Sequence, residues 1–166
     1  TAALFRLDRT NTRAADPTRL LSYAALYGNV GPLADIVDVL GINSYYGWYN
    51  IIKGGEGSGL APEPGRNPVP CEPIDLTPMR GMLDAILAKN SDLVLLLTEF
   101  GADSTPGFHS RSRDLWSEEY HADLLREIFR LARDYPTIAG TFPFVFCDYR
   151  DPSKHLNAHW NELNLK

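Results

Sequence analysis

Apolar runs of strand length alternate with amphipathic stretches along the chain. Four runs have the apolar, β-branched and aromatic content of strands, and they span residues 20–27, 36–46, 93–98 and 138–146. Two further stretches repeat apolar residues at helical spacing, one from Thr77-Pro78 onward and one from Ser117 to about Asp134. Thr77 and Ser117 are residue types that cap helix N-termini, and Pro78 suits a first helical position. The pattern predicts four strands, with a helix on either side of the third.

Continuous apolar strands separated by helices indicate a parallel sheet that is buried on both faces. A polar, Arg-rich stretch over residues 6–15 precedes them, and it is expected to be the end of a helix that Asp16-Pro17 closes. The predicted fold class is therefore α/β, with about four parallel strands in a single domain that covers residues 1–166.

The segment between the second strand and the following helix favours neither element. Residues 53–73 include five Gly and five Pro, which helix and strand interiors tolerate poorly. We expect a loop of about 20 residues there, and loops of that length in compact domains are usually functional or disordered.

Composition and charge exclude several classes of protein. The 166 residues carry 16 Lys and Arg against 21 Asp and Glu, and a formal net charge of −5 argues against a nucleic-acid or anionic-membrane binder. The longest aliphatic run, Leu93–Leu97, is far shorter than the roughly 20 residues that cross a bilayer. The chain carries no phosphate-binding loop, dinucleotide fingerprint or serine-nucleophile motif, so no cofactor is expected.

The two cysteines, Cys71 and Cys147, have neither CxxC spacing nor a histidine at metal-ligand spacing. A disulfide scaffold or a structural zinc site is therefore not expected, and no metal site is predicted. Reduced thiols favour a cytoplasmic protein, although two cysteines do not decide the compartment. Residues 1–5 contain no initiator Met and no signal peptide, so we expect the sequence to be a segment of a longer protein.

One strand end carries a carboxylate. Glu99 closes the third apolar run and Gly101 follows it, and ligands of parallel α/β folds bind at the carboxyl ends of strands. A carboxylate at this place is a candidate nucleophile or acid/base. The alternative is a structural carboxylate whose oxygens are satisfied by hydrogen bonds.

A second strand end is rich in aromatic residues. Residues 43–49 (NSYYGWY) hold four aromatic side chains in five consecutive positions. Aromatic rings stack on the C–H faces of pyranoses, while Asn and Tyr polar groups bind sugar hydroxyls, so the segment suits a sugar site. The alternative is a hydrophobic lid or an interface patch.

The two strand ends together resemble glycoside hydrolase family 2. Residues 38–49 (DVLGINSYYGWY) are similar to the end of the sixth strand of that family's barrels, and residues 97–103 (LTEFGAD) to the end of the seventh. Residues 107–110 (GFHS) and 116–120 (WSEEY) extend the match in the same order and spacing. Within the family, the β-glucuronidases are the most similar and the β-galactosidases come next. The likeness runs from about residue 14 to the end of the chain.

The resemblance implies a (β/α)8 barrel that hydrolyses β-linked sugars with retention of configuration. It implies that Glu99 is the nucleophile, which attacks the anomeric carbon and forms a glycosyl-enzyme ester. A retaining mechanism also needs a second carboxylate about 5–5.5 Å away as acid/base. Asn43, Tyr45 and Tyr49 match positions that line the sugar site, and Trp48, in the same aromatic segment, is predicted to contact substrate as well.

Further parts of the resemblance concern which sugar is recognised and which residue serves as acid/base. Phe144 stands where the last strand of β-glucuronidases carries a Trp that floors the sugar site. Asn164 and Lys166 resemble the Asn-x-Lys motif that reads the uronic acid carboxylate, for which a Lys ammonium is suited, whereas Trp160 is nearest the place of the accompanying Arg. The family carries its acid/base in an Asn-Glu pair after the fourth strand. Residues 161–162 are such a pair, but they follow the last strand and are not expected to serve.

The length indicates half of a barrel. Barrels of eight strands run to about 250 residues, so this chain matches strands five to eight, with residues 53–73 on the catalytic face. Open sheet edges favour pairing, so we expect self-association into a dimer or larger, or pairing with the missing N-terminal half-barrel. The predicted function is a retaining β-glycosidase domain that acts on a carbohydrate and is nearly inactive alone. The alternative is a non-catalytic carbohydrate-binding or assembly fragment.

Overall fold

The computed structural model describes residues 2–48 and 74–147, and for Ala2, Pro32 and Leu33 it describes the backbone alone. Its first half contains helix α1 (Ala2–Ala15), strand β1 (Ser22–Leu26), a short 3-10 helix (Gly31–Asp35) and strand β2 (Val39–Asn43). Its second half contains helix α2 (Thr77–Leu87), strand β3 (Val94–Glu99), helix α3 (Glu118–Arg133) and strand β4 (Ile138–Thr141). The predicted loop over residues 53–73 lies outside the described residues.

The four strands form one parallel sheet whose spatial order is the chain order, β1-β2-β3-β4. Parallel neighbours need a crossover connection, and α2 and α3 lie in the connections that lead to β3 and β4. The α/β prediction with four parallel strands is confirmed, and the architecture fits part of a (β/α)8 barrel. Within residues 2–48 and 74–147, no helix has the length and apolar character needed to span a bilayer.

The core lies on the side of the sheet that faces the helices. Alternate residues of the two central strands have no exposed surface, namely Leu40, Ile42, Leu95 and Leu97. They belong to one cluster with the apolar stripes of α2 and α3, which include Met79, Leu83, Ile86, Leu124, Ile128 and Leu131. On the other side of the sheet Gly41 is buried, while Val39, Leu96 and Thr98 are half-buried. The side of the sheet away from the helices is thus less buried than the side that faces them.

Strand β1 is more exposed than its apolar sequence predicts. Only Ala25 is buried in this strand, while Tyr23 and Leu26 are 40% and 60% exposed. The reason is position, because β1 lies at an edge of the described sheet and pairs with β2 alone. Helix α1 contacts it through an edge-to-face pair between Phe5 and Tyr23, with ring centroids 5.0 Å apart.

The two predicted helix caps have different outcomes. Ser117 caps α3 as predicted, since its Oγ accepts from the Tyr120 amide at 3.2 Å. Thr77 does not cap α2, because the helix already includes it and its amide donates to Oδ1 of Asp75 at 2.8 Å. An aspartate two residues upstream thus supplies the acceptor that we assigned to the threonine. Pro in the first turn of α2 is confirmed.

The loop from β3 to α3 is fastened to the first turn of α3 by Glu119. Its carboxylate accepts from the Ser110 amide at 2.9 Å and lies 2.8 Å from Nδ1 of His109. These contacts, that of the Ser110 amide most of all, lower the pKa of Glu119 from 4.5 to about 2. The same carboxylate, with Glu118 nearby, raises the pKa of His109 above its ordinary value.

Removal of the α3 cap should destabilise the fold. The Ser117 hydroxyl is fully buried, and besides accepting from Tyr120 it donates to the Asp114 carbonyl at 2.7 Å. We expect Ser117→Ala to lower the free energy of unfolding by about 1–2 kcal/mol, measured by urea denaturation. Ser91→Ala, at an exposed turn serine, is the control, and an equal loss there would contradict the assignment.

The contribution of Glu119 to the free energy of unfolding should decrease as the pH falls. Above pH 4.5 the carboxylate is ionised in the folded and the unfolded chain, so its bonds stabilise the fold fully. As pH falls towards about 2, the unfolded chain takes up the proton first and the stabilisation is lost. We therefore expect the stability gap between wild type and Glu119→Gln to be widest above pH 4.5 and to close as pH approaches 2, measured by urea unfolding across this range.

The control for that experiment is Glu127→Gln, which removes one negative charge from the same helix. A gap that closes equally in both variants would assign the effect to net charge rather than to the Ser110 and His109 contacts.

Candidate functional site

The carboxyl ends of β2 and β3 meet at one edge of the sheet. In the register of the two strands Asn43 pairs with Glu99, and the register shifts between Ile42 and Asn43. Because of that shift, both Thr98 and Glu99 lie against the end of β2. The Ser44 amide continues the pairing by donating to the Glu99 carbonyl at 2.8 Å. Backbone pairing with the end of β2 therefore holds β3 in place at Glu99, the candidate nucleophile.

The Glu99 carboxylate is held by Tyr45. The Tyr45 hydroxyl donates to Oε2 of Glu99 at 2.7 Å, and the tyrosine itself is only 8% exposed. Among the described residues no donor contacts Oε1. A buried phenol thus holds one of the two carboxylate oxygens.

Asn43 is oriented by a second hydrogen bond across the same strand pair. The Thr98 hydroxyl donates to Oδ1 of Asn43 at 2.7 Å, and both side chains are half-buried. The structure therefore brings Asn43, Tyr45 and Glu99 together, as the sequence predicts.

Phe144 borders this edge from the next strand. The Phe142 amide donates to the Leu97 carbonyl at 2.8 Å and the Phe144 amide to the Phe100 carbonyl at 2.9 Å, so the chain follows β3 beyond the end of β4. Gly101 allows this approach, since it has φ +139° and a Cβ there would lie 3.3 Å from the Phe144 carbonyl oxygen. Phe144 is half-buried against the core, beside the residue that follows Glu99.

Trp48 is not a substrate-binding residue in this structure, contrary to the prediction. Its side chain has no exposed surface, and its ring packs edge-to-face on Trp116 with centroids 4.6 Å apart and lies 6.3 Å from the ring of Tyr120. The chain turns inward at Gly47, where φ is +80° and the carbonyl accepts from the Tyr120 hydroxyl. A ring without exposed surface cannot stack on a sugar, so Trp48 belongs to the core beneath α3.

Three predicted site residues cannot be placed. Tyr49, Asn164 and Lys166 lie outside the described residues, as do the residues 161–162 that we did not expect to serve as acid/base. Within the described ranges no group of three or more His, Cys, Asp or Glu side chains could hold a metal ion.

Sequence reasoning missed the contact made by Thr98. The signal was present, because a single hydroxyl interrupts the apolar run of β3 immediately before Glu99. The sequence alone does not show that the register of β2 and β3 would direct this hydroxyl to Asn43.

Within the described part of the chain, Glu99 has a hydrogen-bond donor on Oε2 alone. It also lies at the strand edge where parallel folds bind ligands. The Tyr45 phenol contacts its carboxylate, and Asn43 is its partner across the strand pair.

Comparison with known proteins places these observations in context. No family model matches the chain. It is 28% identical over 135 residues to a β-glucuronidase of Streptococcus agalactiae serotype V, a match that covers 79% of this chain. Among solved structures, Ruminococcus gnavus β-glucuronidase in complex with D-glucuronic acid matches 98% of the chain at 22% identity and a TM-score of 0.73. Bacteroides uniformis β-glucuronidase matches 89% at 24% identity and a TM-score of 0.66.

All three relatives are much longer than this chain. The match spans 19% of the Streptococcus protein, 25% of the Ruminococcus chain and 16% of the Bacteroides chain. The structural matches show the shared fold, and the sequence match adds a relation to β-glucuronidases. The chain is therefore similar, in sequence and in fold, to one segment of β-glucuronidases.

Proposed function

We propose that this chain is the part of a retaining β-glycosidase that carries the nucleophile, and that the nucleophile is Glu99. The observation that carries the proposal is the 2.7 Å hydrogen bond from the Tyr45 hydroxyl to Oε2 of Glu99. It lies at the edge of the sheet where β2 ends at Asn43, the residue that pairs with Glu99. The phenol holds Oε2 of the carboxylate and leaves Oε1 as the attacking oxygen of the proposal. The similarity to β-glucuronidases supports the same assignment.

The reaction follows from this geometry. Oε1 of Glu99 attacks the anomeric carbon, the bond from that carbon to the leaving group breaks with its electron pair, and a glycosyl ester of Glu99 forms. Water then attacks the same carbon, which releases the sugar and restores the carboxylate. Tyr45 stays bonded to Oε2 throughout and keeps the carboxylate aligned for both steps, while Asn43 binds a polar group of the sugar.

A glucuronide is the favoured substrate, and a β-galactoside is the second candidate. The relative in Streptococcus agalactiae is named a β-glucuronidase, and the Ruminococcus neighbour is in complex with D-glucuronic acid. Lys166, with Asn164, supplies an ammonium group suited to a uronic acid carboxylate. Phe144 presents a ring to the sugar in place of a larger indole.

The proton for an ordinary leaving group has to come from a second carboxylate, which we assign to a part of the barrel other than this chain. The chain alone is therefore expected to be nearly inactive on alkyl or aryl glycosides. Fluoride leaves with little protonation, so glycosyl fluorides report on the nucleophile by itself.

Labelling of Glu99 tests the proposal. Incubation with 2-deoxy-2-fluoro-β-D-glucuronyl fluoride should add one sugar to the intact mass. The 2-fluoro group slows both formation and hydrolysis of the glycosyl ester, whereas the fluoride leaving group speeds its formation alone, so the ester accumulates. Peptide mapping should place the sugar on Glu99, and Glu99→Gln should abolish it. The galactosyl analogue should label more slowly or not at all.

Glu127→Gln is the matched control, since it makes the same change at an ion-paired glutamate on α3, and it should label like wild type. An adduct on another residue, or none with either sugar, would refute the nucleophile assignment for this chain. Binding of D-glucuronic acid to Glu99→Gln without any labelling of wild type would favour a carbohydrate-binding fragment instead.

Tyr45 should matter for the labelling rate. Tyr45→Phe removes the donor to Oε2 and keeps the buried ring, so the carboxylate loses its fixed orientation. A hydrogen bond to a charged group contributes roughly 1.5–3 kcal/mol, and we expect labelling to slow by about 10- to 100-fold. Tyr23→Phe, the same change on the exposed strand β1, should leave the rate unchanged. An unaltered rate in Tyr45→Phe would show that the phenol does not position the nucleophile.

A further inference from the structure

Thr98 occupies an unusual position between the two strand ends. It precedes Glu99 on β3, and the register shift leaves it beside Asn43 rather than paired with its own partner across the sheet. Its hydroxyl donates to Oδ1 of Asn43 at 2.7 Å. The side chain is half-buried on the side of the sheet that the helices do not cover.

Gly41 makes room for this contact. A Cβ at Gly41 would lie 2.9 Å from Cγ2 and 3.0 Å from Oγ1 of Thr98, and 3.2 Å from Cα of Ala24. Any other residue there would push the threonine away from β2. The absence of a side chain on Gly41 therefore lets Thr98 lie across the neighbouring strand and reach Asn43 two residues further on.

The bond engages the oxygen end of the Asn43 amide. A carboxamide has an acceptor oxygen and a donor nitrogen that differ little in shape, so only its hydrogen bonds fix the orientation. With Oδ1 engaged by Thr98, the Nδ2 group is the end left for a ligand, and no described residue accepts a hydrogen bond from it.

We propose that Thr98 is a positioning residue, which acts through Asn43 and makes this amide a hydrogen-bond donor towards the bound sugar. The site then selects an acceptor oxygen, such as a hydroxyl lone pair or a carboxylate, at the place that Asn43 contacts. The identity of the ligand rests on the proposed function, whereas the orientation of the amide does not.

Two substitutions separate the hydroxyl from the packing of the side chain. Thr98→Val keeps the shape and removes the donor, and Thr98→Ser keeps the donor. In the full chain, Thr98→Val should raise the concentration of 2-deoxy-2-fluoro-β-D-glucuronyl fluoride that half-saturates labelling by about tenfold, as expected for one oriented hydrogen bond. The maximal rate should change much less, and Thr98→Ser should behave like wild type.

A double-mutant cycle tests whether Thr98 acts through Asn43. In an Asn43→Ala background, Thr98→Val should have no further effect on half-saturation, because the amide that it orients is gone. An equal effect in both backgrounds would show that Thr98 only supports the strand, and it would overturn the proposal.

Nuclear magnetic resonance gives a readout that does not need labelling. The Asn43 side-chain NH2 signals and their contacts to β3 should be the same in wild type and Thr98→Ser and should change in Thr98→Val. If wild type is not labelled at all, the proposed function fails while this measurement still decides the role of Thr98. Unchanged Asn43 signals in Thr98→Val would overturn it.

Discussion

The parallel pairing of β2 with β3 is the constraint on which the candidate site depends. It brings two carboxyl ends to one edge, and the register shift after Ile42 sets two consecutive residues of β3 against the end of β2. As a result Glu99 meets Tyr45 and Thr98 meets Asn43, each at 2.7 Å. The contact between Asn43 and Thr98 lies between two paired strands, whereas Tyr45 reaches Glu99 from the segment that follows β2.

The two sides of the sheet carry different kinds of residue: one side packs into the core, and the other carries polar contacts of the candidate site. Residues such as Leu40 and Leu97 face the helices and are fully buried. Thr98 and Asn43 lie on the other side or at the edge and carry the polar contacts. Because strand side chains alternate, a single pairing fixes the core on one side and the site on the other. Beyond the end of β2 the chain turns back to the core, where Trp48 packs beneath α3.

Much of the fold could be predicted from the sequence because the relevant signals are local. Apolar runs alternating with amphipathic stretches predicted the parallel α/β sheet, and Ser117 as a capping residue predicted the start of α3. Glu99 stood out because a carboxylate ended an apolar strand. The errors arose where a residue outside the predicted element decided the outcome. Strand β1 is exposed because of its place at the edge, and Asp75 rather than Thr77 supplies the acceptor at the start of α2.

The site was predicted less completely than the fold for the same reason. An aromatic segment after a strand does not reveal which rings face a ligand, and the inward turn at Gly47 sends Trp48 into the core while Tyr45 remains at the carboxylate. The Thr98 contact depends on a shift in pairing between strands separated by more than 50 residues. Hydrophobic periodicity carries no information about such a shift.

The order of the strands in space, which equals their order along the chain, has a consequence for how the fold is assembled. Each strand needs only its immediate predecessor as a template, so the sheet can grow one strand-and-helix unit at a time from either end. The parallel pairs nevertheless join residues far apart in the sequence, 55 positions for Thr98 and Asn43, and closing such long connections slows folding. The same additive construction means that units joined at an outer edge would extend the sheet without altering the pairing of β2 with β3.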